Sequence, residues 1–202
     1  MIIGAKYKIC RRLGSGVFEK CQNQKFSLSE ARHEKSKRGK RRKQISDYGQ
    51  QLIEKQKIRF SYGISERQLR NYIKEATAMK KITAREGLFQ LLESRLDNTL
   101  YRLGIAVTRP LARQMASHGH FTVNGNRTTV PSFRVKEGDV IALREGSKSR
   151  TLFQNLDKKL AKVTPPSWLS FDAKNISGVV KGIPVNNETF LDFGSVLEFY
   201  SR

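Results

Sequence analysis

The sequence predicts an α+β fold. It is expected to contain a basic extended N-terminal arm, an α-helical domain, a compact module of two helices packed on a small antiparallel twisted sheet, and a short β-rich C-terminal tail returning to the body. Three observations carry the prediction. Capped helical stretches run from Ser46 to Leu103, with apolar residues recurring at i, i+3 and i+4 from Leu69 onward. Alternating runs flank an Asn124-Gly125 pair between Phe121 and Leu143. Ahead of both, Lys35, Lys37, Arg38, Lys40, Arg41, Arg42 and Lys43 crowd one short span with no apolar face. The expected divisions are an arm at 1–45, a helical domain at 46–93 completed by the C-terminal tail, the module at 94–155, and a linker helix with the tail at 156–202.

The chain of 202 residues carries 39 Lys and Arg against 18 Asp and Glu, a net charge of +21, and is 38% hydrophobic. Such a chain repels itself and seeks polyanions. No apolar run approaches the roughly 18 residues of a spanning helix, so nucleic acid, not a membrane, is the expected partner. The N-terminus shows no secretory signal, and the expected compartment is the cytoplasm. There Cys10 and Cys21 are expected to stay thiols. The apolar content suffices for modest cores, so residues 1–45 are expected to order against the partner. The basic run within them reads as a phosphate-neutralising arm that includes Arg11 and Arg12, or as a solvated charge run or localisation signal.

Ser46-Asp47 caps a helix over Tyr48 to Tyr62 that ends at Gly63, and Ser65-Glu66-Arg67-Gln68 is a capping box for the next. In that second helix Leu69, Tyr72, Ile73, Ala76 and Met79 form a buried face, while Arg67, Arg70 and Lys74 share the opposite side. Thr83-Ala84-Arg85-Glu86 repeats the box before a third helix striped by Leu88, Leu91, Leu92, Leu96 and Leu103. Its polar face, Arg95, Asn98 and Arg102, suits ordinary solvent exposure or phosphate equally. Thr108 caps a short helix with Pro110 in its first turn, Arg109 and Arg113 one turn apart, and Gly119 as the stop. Phe121-Thr122-Val123 and Thr128-Thr129-Val130 read as a hairpin about Asn124-Gly125, and Val140 to Leu143 as a buried strand. A weak helix at Ser147–Val163 follows, then short β-like runs at Trp168–Phe171, Val179-Val180 and Val196–Tyr200, with Trp168 in the core.

Catalytic chemistry finds no constellation. Leu13-Gly14-Ser15-Gly16-Val17-Phe18 resembles the start of a kinase glycine-rich loop and Asp192-Phe193-Gly194 a kinase metal-binding triplet. The strand lysine and His-Arg-Asp loop that such chemistry also needs are missing. Cys10, Cys21 and His33 are possible metal ligands by type, but ten- and eleven-residue gaps and the lack of a Cys-x-x-Cys knuckle fall short of a closed zinc site. No cofactor, metal or catalytic residue is expected. His118 and His120, beside Arg113 and the Asn124-Gly125 turn, are read as donors to phosphate or ribose, with simple capping as the alternative.

Several blocks spell a known pattern: Ser46-Asp47-Tyr48-Gly49, Glu54-Lys55-Gln56-Lys57, Tyr62 to Gln68, Leu92 to Asn98, Tyr101-Arg102-Leu103-Gly104, Ser117-His118-Gly119-His120, Val123-Asn124-Gly125 and Phe199-Tyr200-Ser201-Arg202. In this order, nearly end to end, they resemble the S4 family of bacterial small-subunit ribosomal proteins. The resemblance implies a structural, non-enzymatic primary binder of small-subunit ribosomal RNA, in which residues 94–155 are an RNA-binding module inserted between the helical domain and the returning C-terminal tail. It implies recognition of a multi-helix junction, nucleation of subunit-body assembly, and a contribution to decoding accuracy through contact with ribosomal protein S5. Repression of its own messenger RNA occurs in some relatives, and a ribosome-bearing organelle stays open as a location. Zinc-bearing members of the family have two cysteine pairs; here Tyr7 stands where Cys10 would have its mate. On this reading Lys55, Lys57, Arg59, Arg67, Arg70, Lys74, Arg95, Arg102, Arg109 and Arg113 contact phosphates from helix faces, and Tyr48, Tyr62 and Asn124 add stacking or backbone contacts. A messenger-RNA regulator or an RNA chaperone with the same module is the competing class.

Overall fold

The structure is a computed structural model, and it describes residues 4–36, 45–154, 160, 164–172, 176–185 and 190–201, with only the backbone of 34–36. The chain forms two compact units, Met1–Leu88 with Asn187–Arg202, and Phe89–Asn186.

The first unit is helical. Helix α1 spans Lys6–Leu13, two 3-10 turns follow at Ser15–Val17 and Glu19–Cys21, and α2 spans Gln24–Ser36. The expectation of an extended arm is therefore corrected for residues 4–36. Cys10, Leu13, Val17, Phe18, Cys21 and Phe26 close a small core, and Tyr7, Ile9, Ile53 and Phe60 pack against it. Two short turns divide the segment between its helices, so no single apolar stripe runs through it. The free-thiol expectation is also corrected: Cys10 and Cys21 are joined as a disulfide with their Cα atoms 6.5 Å apart. Residues 37–44, with Lys37, Arg38, Lys40, Arg41, Arg42 and Lys43, lie outside the described residues, as does the side chain of Lys35.

Helix α3 spans Asp47–Tyr62; the Ser46 side chain accepts from the Gly49 N–H, and Gly63, at φ 63°, ends it in the left-handed conformation that glycine adopts without a Cβ clash. Helix α4, Glu66–Ala78, starts with the expected capping box between Ser65 and Gln68 and buries Leu69, Tyr72, Ile73 and Ala76. The box at Thr83 and Glu86 forms as well, opening α5, Ala84–Glu93. The C-terminal segment closes the unit with a helix and not the β-like run expected at Val196–Tyr200. The Asp192 carboxylate accepts from the N–H groups of Gly194 and Ser195 and from the Ser195 hydroxyl, which caps the helix and holds the carboxyl below its usual range. The kinase-like triplet is thus a helix cap.

In the second unit α6, Leu96–Arg102, is separate from α5, because Ser94 and Arg95 leave the helical path and Arg95 bridges to Arg134. The expected single leucine-striped helix is corrected accordingly. Helix α7, Arg109–Ser117, has Thr108 as its cap, accepting from the Leu111 N–H at 3.3 Å, with Pro110 in its first turn. Strands β1, Phe121–Val123, and β2, Asn126–Thr128, pair across a two-residue loop in which Asn124 and Gly125 both have positive φ, as a type I′ turn demands. That turn sets the return strand two residues earlier than expected. Strands β3, Val140–Leu143, β4, Leu169–Asp172, and β5, Ser177–Val180, complete an antiparallel sheet in the order β2-β1-β3-β5-β4. A single turn α8, Glu145–Lys148, and a 3-10 turn at Thr151–Phe153 follow β3. They replace the start of the helix expected at Ser147–Val163, whose Leu156 lies outside the described residues. Leu96, Leu100, Ala112, Met115, Phe121, Ile141, Leu143, Trp168 and Val180 share one core.

Candidate nucleic-acid interface

The helical unit sorts its cations into two groups. Glu66 gathers the first: Lys55 Nζ reaches its Oε1 at 3.0 Å, Arg59 Nη1 its Oε2 at 3.1 Å, and the Tyr200 hydroxyl donates to it. Burial pulls the Glu66 carboxyl upward, but the hydrogen bonds from Tyr200 and Lys55 and the two positive charges outweigh it and hold it low. The same contact, with burial, raises the Tyr200 phenol. The Lys55 ammonium also lies 4.5 Å over the Phe199 ring, and Lys57 pairs with the buried Glu54 at 2.7 Å. Tyr62 is 2% exposed and cannot stack on a base. These residues tie α3 to α4 and to the C-terminal helix, which we call α9, Phe193–Ser201. Lys55 and Lys57, expected to contact phosphates, are thus paired within the fold, and Tyr62 is enclosed by it.

The second group is exposed. Arg67, Arg70 and Lys74 stand on α4 away from its buried face and line an open cleft with Asn71, Thr77 and Tyr200. At 1.5 Å rise per residue they cover roughly 10 Å of helix, a row of positive charge along one edge. Arg12 is exposed on α1 one turn after Lys8, while Arg11 donates to the Ser29 hydroxyl at 2.7 Å. Tyr48 is exposed with its ring 5.5 Å from that of Phe199.

In the second unit most of the expected cations are structural. Arg95 is 2% exposed, and its guanidinium grips Asp97 at 3.0 and 2.8 Å. Arg113 reaches the same carboxylate at 2.8 and 2.7 Å. Arg102 makes a two-pronged contact with the buried Glu93 at 2.7 and 2.8 Å. Arg109 donates to the Asn98 amide oxygen at 2.7 Å and lies 4.3 Å over the Tyr101 ring. The reading of Arg95 as a phosphate ligand is corrected. The readings of Arg102, Arg109 and Arg113 are qualified by partners that fix their heads within the fold. Both ends of the Asn124 amide are engaged at the start of β3, donating to Asp139 just before the strand at 2.7 Å and accepting from the Val140 N–H at 2.9 Å. His120 is buried and shares a hydrogen bond with the Ser147 hydroxyl at 3.0 Å. Burial, then the positive charges of Arg150, His118, Arg144 and Arg127, lowers its pKa and so disfavours the charged form that would attract a phosphate. His118 alone of the pair is exposed.

Around it lie residues the sequence reading missed. Arg127 projects from β2 with its guanidinium over Gly119, where a Cβ would come within 2.5 Å of Nε. With Arg127 and Arg150 exposed and Arg144 half-buried, this side of the unit is positive. The Asn-Gly turn was the available signal, because its two-residue loop places Arg127 at the centre of the return strand. Among the described residues no cluster of His, Cys, Asp and Glu could hold a metal ion, and no helix is long and apolar enough to cross a membrane.

A helical unit, a unit of two helices on an antiparallel sheet, and rows of exposed cations on both define a basic α+β protein suited to a polyanion. The family described as ribosomal protein S4/S9 N-terminal domain matches residues 2–93, and the S4 domain matches residues 94–141. The chain is 43% identical over 204 residues to small ribosomal subunit protein uS4 of Acetivibrio thermocellus, covering 98% of each. It is 45% identical over 206 residues to uS4 of Chloroflexus aurantiacus, covering 99% of this chain and 98% of that one. To uS4 of Herpetosiphon aurantiacus it is 50% identical over 168 residues, or 80% of this chain and 78% of that one. The chain belongs to the ribosomal protein S4 family.

Proposed function

We propose that this protein is a structural constituent of the small ribosomal subunit in the cytoplasm and that it binds the subunit's ribosomal RNA without catalysing a reaction. The observation that carries this reading is family membership over nearly the whole chain, joined to exposed cations on a chain of net charge +21. Arg67, Arg70 and Lys74 on α4, Arg12 on α1, and Arg127 and Arg150 of the second unit contact phosphates; Arg109 and Arg113, already oriented by Asn98 and Asp97, add to them where their outer edges face solvent. Fixed spacing between such cations reads the shape of RNA more than its sequence, because the A-form major groove hides its base edges.

The finer reading is that the protein engages a multi-helix junction, nucleates assembly of the subunit body, and supports decoding accuracy through contact with protein S5. Binding to its own messenger RNA is the regulatory extension of the same surface. The test has two parts. The purified chain is expected to bind small-subunit ribosomal RNA with an affinity that falls steeply with salt, and to co-sediment stoichiometrically with small subunits washed at high salt. Recovery only in free RNA complexes would instead favour a regulator or chaperone, and a shallow salt dependence would contradict phosphate neutralisation.

A further inference from the structure

Helices α1 and α3 line an open cleft of about 540 Å³, within the roughly 300–1,000 Å³ of small-molecule sites. Its chemistry is divided. Leu52, Gln56 and Phe60 recur at i, i+4 and i+8 along α3, and Ile9 of α1 faces the same space. Lys8 and Arg12, one turn apart on α1, stand exposed on its rim. Two helices packed only for stability would fill such a space with apolar side chains, yet Ile9, Leu52 and Phe60 remain half-buried around it. The walls are fixed. Phe18, between the two 3-10 turns that follow α1, meets the Phe60 ring edge-on at 6.3 Å, and Ile9 and Phe60 pack against one core.

We infer that this cleft receives one unstacked nucleotide of the bound RNA, its base on the apolar floor beside Phe60 and its phosphate on Lys8 and Arg12. This rests on the RNA-binding role proposed above. Flat apolar surface with an aromatic ring is what an extruded base lacks in water, and paired cations at the mouth are what its phosphate lacks. Gln56 brings the floor's one neutral polar head, an amide able to donate to and accept from a base edge. A peptide partner fits less well, because an apolar segment would have to pass the two rim cations, and the chain's charge of +21 draws RNA first.

The test uses the full chain and a transcript of small-subunit ribosomal RNA, irradiated with ultraviolet light, with cross-linked peptides mapped by mass spectrometry. The α3 peptide containing Phe60 is expected to carry a nucleotide. Leu52→Trp, which fills the cleft, is expected to remove that cross-link and weaken binding about five- to 150-fold with the salt dependence unchanged. Should Leu52→Trp unfold, Gln56→Ala gives the second reading, an expected loss of about two- to twelvefold. Lys8→Ala with Arg12→Ala is expected to flatten the salt dependence by up to about two phosphates. If the wild-type chain binds the transcript but folded Leu52→Trp or Gln56→Ala binds equally well, or the cross-links all map elsewhere, the cleft proposal is overturned while the RNA-binding role stands. If the wild-type chain does not bind at all, the role itself fails.

Discussion

Asp97 holds two guanidinium groups, and the pair it makes with Arg95 is almost wholly out of water, at 4% and 2% side-chain exposure. Two-pronged geometry compensates the desolvation of both charges, so removing one partner leaves the other buried without compensation. Asp97→Asn is expected to destabilise the second unit by about 3–5 kcal/mol in urea unfolding. Arg113→Ala, whose side chain is 30% exposed, is expected to cost far less. Glu66 makes a pH prediction. Its folded-state pKa lies below the ordinary 4.5, so its contribution is present above that value and disappears as pH falls through the lowered one. Thermal melts of Glu66→Gln are expected to be less sensitive than wild type across that acidic window and less stable above it. At this scale the sequence revealed which residues are cations and concealed which are paired. Arg95 looked like part of a helix face with Asn98 and Arg102 because the spacing rule assumed one continuous helix, and the break at Ser94 turns its side chain inward.

At the scale of elements, caps and turns were the legible signals. The boxes at Ser65 and Thr83, the Thr108 cap and the Asn124-Gly125 turn each act through short-range hydrogen bonds or backbone angles, so a few consecutive residues suffice to specify them. Two segments misled. Val196 to Tyr200 has the apolar and aromatic content of a strand, but the cap at Asp192 starts a helix there, and that helix finds Glu66 and Lys55 on distant parts of the sequence. Residues 4–36 hold a small core in which Cys10 and Cys21 are paired, and residue type alone did not imply that pairing. Because that bridge closes a short loop, with a sequence separation of 11, reduction or the double change Cys10→Ser and Cys21→Ser is expected to destabilise residues 4–36 by about 2–4 kcal/mol. Hydrogen exchange would show faster opening of α1 and α2, with protection of the sheet unit unchanged.

For the whole molecule, the charge of +21 separates by partner. Lys55, Arg59, Arg95 and Arg102 are held by carboxylates of the chain itself and serve the fold, whereas Arg67, Arg70 and Lys74 stand in solvent. Composition announced the polyanion, and the order of the blocks announced the family. Only the folded chain divides the cations, because that division depends on which carboxylates come near. The direct test is a salt series on small-subunit ribosomal RNA with three proteins: wild type, the triple variant Arg67→Ala, Arg70→Ala and Lys74→Ala, and Lys55→Met. The triple variant is expected to fold normally and to flatten the logarithmic salt slope by about two to three, at roughly 0.7–0.9 per phosphate lost. Lys55→Met is expected to keep the wild-type slope and lose stability. A folded triple variant with the wild-type slope, or a Lys55→Met protein whose slope falls instead, would contradict the account.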